Sequence, residues 1–304
     1  MQILDSREVS GIIDQQIKEE VDSLKKRTGK VPGLTVVMVG DSAASQMYIR
    51  TNDRKAAAVG IKSSVLRLDK GISPGQLIRE IEKLNQDDEM DAVLIQLPLP
   101  ENMNAWEIMM HLDPGKDVDR FHPVNLGMVL LNQTRIYPCT PSGILKILEY
   151  YRVKVAGMNA VVVGKSYLVG RPLAAMLTNK DATVTICHQR TKDLKEVLRN
   201  AELVVSAIGQ PGIITADMIK PGAVLIDTGV NYLINKAEVL KHCDAEQVKQ
   251  FEKKGYAIAG DIHRDAYKKA SYYTPVPAGV GHMTTTMLMY NTLQLFKQRH
   301  PIKK

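Results

Sequence analysis

Residues 161–163 are an unbroken valine run that meets Gly164 and is followed by Gly170-Arg171-Pro172. A buried strand that turns at a glycine and leaves into a helix constrains the fold more than any other stretch of the chain. The glycine lets the backbone approach a ligand closely, and the helix that follows aims its unpaired N–H groups at an anion. Ser166 stands where the common dinucleotide fingerprint has its second glycine, so the turn reads as a variant phosphate cradle.

The same grammar runs through the whole chain of 304 residues. Apolar residues recur at helical spacing from Val9 to Leu24. An apolar β-branched run follows at 34–39, then a helix at 43–59 ended by Gly60, a strand at 65–68, a helix at 74–84, a strand at 92–97 and a helix at 105–112. The polar stretch 113–123 reads as an ordered functional loop. A helix from Pro141 to Tyr151 opens a second series: strands at 160–163, 183–186, 203–206, 223–226 and 256–258, with helices at 171–178 and 194–199. Alternation of this kind predicts an α/β fold in two domains: a smaller α/β parallel sheet, then a doubly wound Rossmann-type parallel sheet. The predicted division is 1–137 and 138–276, with a C-terminal helix in 277–304 packing back on the first domain.

The net charge of +7 is dispersed, and its densest cluster, Lys25-Lys26-Arg27, closes a helix, where cations complement the dipole. This argues for a solvated face and no nucleic-acid partner. Cys139, Cys187 and Cys243 are far apart and have no metal-ligand or disulfide spacing. The opening residues lack the apolar core of a signal peptide, and no apolar run is long enough to cross a bilayer. The expectation is a cytoplasmic protein with no membrane partner and no metal.

Open α/β sheets bind ligands at strand carboxyl ends. The candidate nucleotide contacts are therefore Gly164, Lys165, Ser166, Gly170 and Arg171 in the first turn, and His188, Arg190 and Thr191 after the second strand. Ser206 and Gly209 follow the third strand, and Gly229 and Val230 the fourth. Arg190 with Lys165, and the lack of an acid at 187–191, suits the extra phosphate of NADP; that both are ordinary surface cations is the competing reading. In the first domain Tyr48 and Asn52 are four apart on one helical face, with Lys55 near them. Gln96 ends a buried strand, and Asp119 lies in the polar loop.

Tyr48, Gln96-Leu97-Pro98-Leu99-Pro100, Lys116-Asp117-Val118-Asp119, Phe121-His122-Pro123, Pro138-Cys139-Thr140-Pro141, Val169-Gly170-Arg171-Pro172 and Thr274-Pro275-Val276-Pro277 occur in this order. Together they closely resemble the methylenetetrahydrofolate dehydrogenase/cyclohydrolase family. The resemblance implies two domains around a cleft, NADP on the second, a folate substrate against the first, and a homodimer formed through the nucleotide domains. It implies that Tyr48 stacks on the folate rings, that Asp119 binds the pterin edge, and that Gln96 positions a catalytic lysine. It extends the substrate site to Leu97, Pro98, Pro275 and Gly279.

The catalytic lysine position holds Asn52. Hydrolysis of the methenyl product needs water activation and a proton relay, which a lysine can supply and an asparagine cannot. Hydride transfer relies on positioning and on the cofactor. The sequence thus predicts oxidation of 5,10-methylenetetrahydrofolate to the methenyl form, with hydrolysis to 10-formyltetrahydrofolate in question; the alternative is a non-catalytic or substrate-shifted paralogue. Arg120, Ala278 and His282 also depart from the family's usual glycine, glycine and proline.

Overall fold

The computed structural model describes residues 1–301, apart from the side chains of Ala43 and Ala44. The chain divides into two compact units, Ser10–Cys139 with Thr284–Lys304, and Met1–Val9 with Thr140–Met283.

The first of these is built on a three-stranded parallel sheet with Gly33–Val39 at its centre, flanked by Lys62–Leu68 and Ala92–Ile95. The central strand is buried almost throughout, as a β-branched run flanked on both edges should be. The helix Ala43–Val59 starts at Ser42, whose hydroxyl accepts from the Ser45 amide, and stops at Gly60 in the left-handed region at φ 82°. Its buried stripe is Ile49, Asn52, Ala56 and Val59, so a polar amide occupies a core position. The next helix, Pro74–Gln86, opens on a reciprocal capping box between Ser73 and Gln76.

The polar stretch after residue 112 has a defined course. Val93 donates to the Lys116 carbonyl at 2.7 Å and accepts from the Val118 amide at 3.3 Å, so 116–118 runs parallel to the Ala92–Ile95 strand. That course delivers Asp119 to the carboxyl end of the sheet, where Gln96 also lies. A helix over Pro123–Leu130, which apolar spacing alone does not announce, starts at His122. The C-terminal helix Gly281–Arg299 joins this unit from Thr284 onward: Asn291 Nδ2 donates to the carbonyls of Val118 and Tyr137, both at 2.9 Å.

The other unit holds a six-stranded, wholly parallel sheet. Its order is Thr183–Cys187, Asn159–Val163, Leu203–Ser206, Val224–Asp227, Tyr272–Tyr273 and Gln2–Ile3. The chain moves to one side of Asn159–Val163 for its second strand and to the other for its third. This reversal puts a ligand crevice at the end of Asn159–Val163, at Gly164.

The structure and the sequence expectations differ in three places. The strand expected at 256–258 is Ala257–Ala259, and it pairs antiparallel with Asn231–Leu233 in a separate ribbon outside the main sheet. Helices Lys236–His242 and Ala245–Lys254 connect its strands, and Leu233, Val239, Cys243, Ala257 and Ala259 give it a small core of its own. Met1–Val9 group with the nucleotide-type unit, where Gln2–Ile3 pairs with Tyr272–Tyr273 and the Ser6 hydroxyl donates to the Gly279 carbonyl. The boundaries fall at 139/140 and 283/284, against the expected 137/138 and 276/277. Residues 302–304 of the predicted C-terminal segment lie outside the described residues.

Candidate active site

The first glycine turn is shaped by contact. Gly164 has φ 136°, and a Cβ there would stand 2.2 Å from the Ala207 carbonyl oxygen. A Cβ on Gly170 would stand 2.0 Å from the Gly164 oxygen, so neither position can carry a side chain. The Ser166 hydroxyl accepts from the amides of Val169 at 3.2 Å and Gly170 at 3.4 Å, capping the Gly170–Thr178 helix from within the chain. Arg171 folds back, its Nε donating to the Lys165 carbonyl at 3.1 Å, while the Lys165 side chain is exposed.

After the second strand, the Thr191 hydroxyl accepts from the His188 amide at 2.8 Å, and His188 Nδ1 accepts from the Arg190 amide at 3.1 Å. These bonds make a tight turn with Arg190 exposed at its corner. After the third and fourth strands, the donors of the turns face inward. The Ser206 hydroxyl and the Ile208 and Gly209 amides all donate to Asp261 Oδ2, and the Gly229 amide donates to Asp227 Oδ1. Val230 is exposed. Asp261 is an organising residue that sequence reasoning missed, since an acid after a short strand is its only local signal; Asp227, at the end of the fourth strand, opens the turn that leads to Gly229. Burial and the neighbouring Asp261 charge raise the Asp227 carboxyl to about 7.

In the same unit, Thr274 is tied to the fourth strand by its hydroxyl, which accepts from the Asp227 amide at 2.8 Å. Gly279 is packed so closely that a Cβ would stand 2.3 Å from the Pro275 oxygen. Ala278 occupies the left-handed region at φ 78°.

In the other unit, Tyr48, Asn52 and Asp119 come together with Cys139. Burial raises the Tyr48 phenol, as does the Asp119 charge, and the Asn52 amide lies against the hydroxyl. Asn52 is fully buried, yet neither its Nδ2 nor its Oδ1 makes a hydrogen bond of good geometry among the described residues. Gln96 donates through Nε2 to the Leu97 carbonyl at 2.8 Å and leaves its buried Oε1 without a partner, just ahead of Leu97 and Pro98. Burial raises the Asp119 carboxyl to about 6; a hydrogen bond from Cys139 pulls it down and the Asp117 charge pushes it up. Burial also raises the Cys139 thiol.

Three neighbouring cations are committed elsewhere. Lys55 Nζ donates to Asp14 Oδ2 at 2.5 Å and to the Thr286 hydroxyl at 2.7 Å. Lys116, fully buried, donates to the Leu84 and Asp87 carbonyls at the end of the Pro74–Gln86 helix. Arg120, at φ 62°, sends Nη1 to the Pro114 carbonyl at 3.0 Å and is paired electrostatically with Asp117. The last arrangement makes Arg120 a brace of its own loop.

The model of the tetrahydrofolate dehydrogenase/cyclohydrolase catalytic domain matches residues 4–119, and that of the NAD(P)-binding domain of the same enzymes matches residues 138–300. The chain belongs to the tetrahydrofolate dehydrogenase/cyclohydrolase family. It is 42% identical over 299 residues to the bifunctional protein FolD of Koribacter versatilis, covering 98% of this chain and 97% of that one. The crystal structure of the bifunctional FolD enzyme from Campylobacter jejuni superposes with a TM-score of 0.90 at 38% identity, covering 99% of this chain and 100% of that one. The Trypanosoma brucei FolD enzyme, solved with NADP and an inhibitor, superposes with a TM-score of 0.87 at 35% identity, covering 97% and 96%.

Proposed function

We propose that this member of the dehydrogenase/cyclohydrolase family oxidises 5,10-methylenetetrahydrofolate to 5,10-methenyltetrahydrofolate with NADP, and that it hydrolyses the product to 10-formyltetrahydrofolate poorly. The observation that carries this reading is Asn52: buried against the Tyr48 hydroxyl, with no hydrogen bond of good geometry among the described residues, while Lys55 nearby on the same helix is held by Asp14 and Thr286.

NADP, when bound, accepts the hydride. The substrate's methylene carbon loses that hydride and becomes a cationic methenyl carbon, so the oxidation needs no general base from the chain. What it needs is the folate held in place, and Tyr48 against the rings with Asp119 on the pterin edge meets that need. Leu97, Pro98, Pro275 and Gly279 complete the substrate contacts in this reading. The turns at 164–171, 188–191, 206–209 and 229–230 take the nucleotide, with Lys165 and Arg190 as exposed cations for its extra phosphate.

Hydrolysis is different, because the attacking water must give up a proton. Asn52 cannot take it, and the Tyr48 phenol and Cys139 thiol are driven further from ionisation by burial. Lys55 is held by Asp14 and Thr286. The test is to supply methylenetetrahydrofolate and NADP and to follow methenyl and formyl products separately. NADP reduction with methenyl accumulating is the expected result; formyl appearing as fast as NADPH, or no reduction of NADP or NAD, contradicts the reading.

The same reading includes a homodimer formed through the nucleotide-binding units. Val230, Tyr232 and Ile234 alternate along one side of the Asn231–Leu233 ribbon and are 56%, 47% and 79% exposed, an apolar face that suits a second copy. Sedimentation of the wild type as a dimer and of Tyr232→Asp as a monomer is expected; a monomeric wild type contradicts this part. The three cysteines are free and buried, which fits a cytoplasmic setting.

A further inference from the structure

The turn after the Leu203–Ser206 strand is held by one carboxylate from a distant part of the chain. Asp261 is fully buried, and its Oδ2 accepts from the Ser206 hydroxyl at 3.0 Å and from the Ile208 and Gly209 amides, both at 3.1 Å. Its Oδ1 accepts from Asn231 Nδ2 at 2.9 Å, just beyond the turn that ends in Gly229 and Val230. A single side chain thus joins the turns that follow two adjacent strands of the parallel sheet.

Asp261 is itself fixed by Asp227. Asp227 Oδ1 accepts from the Asp261 amide at 3.1 Å and from the Gly229 amide at 2.8 Å, and Oδ2 accepts from the Ile262 amide at 2.8 Å. There is no room for anything larger around this clasp. A Cβ on Gly229 would stand 2.4 Å from Asp261 Oδ1, and one on Gly260 would stand 2.1 Å from Asp227 Oδ2. Gly229 is therefore required by the carboxylate, whether or not a ligand also approaches it.

Three donors converging on one carboxylate oxygen leave the turn little freedom. They also decide what the turn can offer. The Ile208 and Gly209 N–H groups are spent inward, and the Ile208 side chain packs on the core cluster of the sheet. A nucleotide lying across the sheet's carboxyl ends meets a surface whose shape Asp261 sets.

We propose that Asp261 is a positioning residue for the nucleotide: it pre-forms the Ser206–Gly209 turn and locks it to Asn231, and nucleotide affinity depends on it through that turn. The proposal rests on the reading that a nicotinamide nucleotide occupies these strand ends. Asp261→Asn keeps the volume but places an amide NH2 against either the turn's donors or Asn231 Nδ2, so one set of bonds is lost. Ser206→Ala removes one donor, leaves the carboxylate in place, and serves if Asp261→Asn does not fold.

The experiment measures NADP affinity by titration calorimetry on wild-type protein and both variants, together with steady-state KM for NADP and for methylenetetrahydrofolate. Asp261→Asn should weaken NADP binding at least tenfold and Ser206→Ala about threefold, with the folate KM within twofold of wild type. A general loss of structure would move both KM values, so the split separates positioning from folding. Folded variants with NADP affinity within twofold of wild type overturn the proposal alone. Wild-type protein that binds neither NADP nor NAD overturns the functional reading, and this proposal with it.

Discussion

Asp119 and Asn52 sit against the same tyrosine and are affected by burial in different ways. An amide has no proton to gain or lose, so burial costs Asn52 only its unmet hydrogen bonds. A carboxyl responds by titrating, and Asp119 is held at about 6, mainly by burial. Because its pKa is raised, Asp119 is ionised above that pH and neutral below it. In the proposed reading the ionised form is the one that accepts from two donors on the pterin edge. The kcat/KM for methylenetetrahydrofolate should therefore fall about tenfold between pH 7 and pH 5. In Asp119→Asn the value should be low throughout with no step near pH 6. A profile that is flat in wild type contradicts the placement of Asp119 on the substrate. Asn52 itself was legible in the sequence, because the spacing from Tyr48 identifies the position directly. Asp261 was not, since its role depends on which amides of a distant turn point at it, and no spacing records that.

At the level of elements, two of the loops that carry a non-glycine residue in left-handed backbone are handled differently by the chain. Ala278 at φ 78° gains nothing visible from its side chain. Ala278→Gly should raise stability by about 0.5–1 kcal/mol, the strain relieved less the added freedom of the unfolded chain. Arg120 at φ 62° braces its loop through the Pro114 carbonyl and the Asp117 charge. Arg120→Gly should lower stability by about 1 kcal/mol, because a charge-assisted hydrogen bond outweighs the strain. Chemical denaturation of the two variants checks both signs, and a gain for Arg120→Gly contradicts the bracing role. The same contrast shows why elements were read better than loops. Helices Ala43–Val59 and Pro74–Gln86 are written in apolar spacing, caps and breakers, all local signals. The ribbon Asn231–Leu233 with Ala257–Ala259 has strand-like residues, but only tertiary pairing decides which sheet they enter. Lys116 belongs to a family motif and looks chemical; the structure spends it on helix carbonyls.

For the molecule as a whole, the proposed reading is that the features used for binding and hydride transfer are kept and one used for hydrolysis is changed. The six-stranded parallel sheet, the glycine turns and the two-aspartate clasp belong to the nucleotide-binding unit, and Tyr48, Gln96 and Asp119 to the other. The change at Asn52 lies in a buried stripe where a long cation could be desolvated and tuned, as a proton-transfer lysine must be. The most direct measurement is the rate of methenyltetrahydrofolate hydrolysis by wild-type protein and by Asn52→Lys, each against the uncatalysed rate in the same buffer. The account predicts little acceleration by wild type and at least a hundredfold gain on restoring the lysine, with NADP reduction retained in both. Fast hydrolysis by the wild-type protein would contradict it.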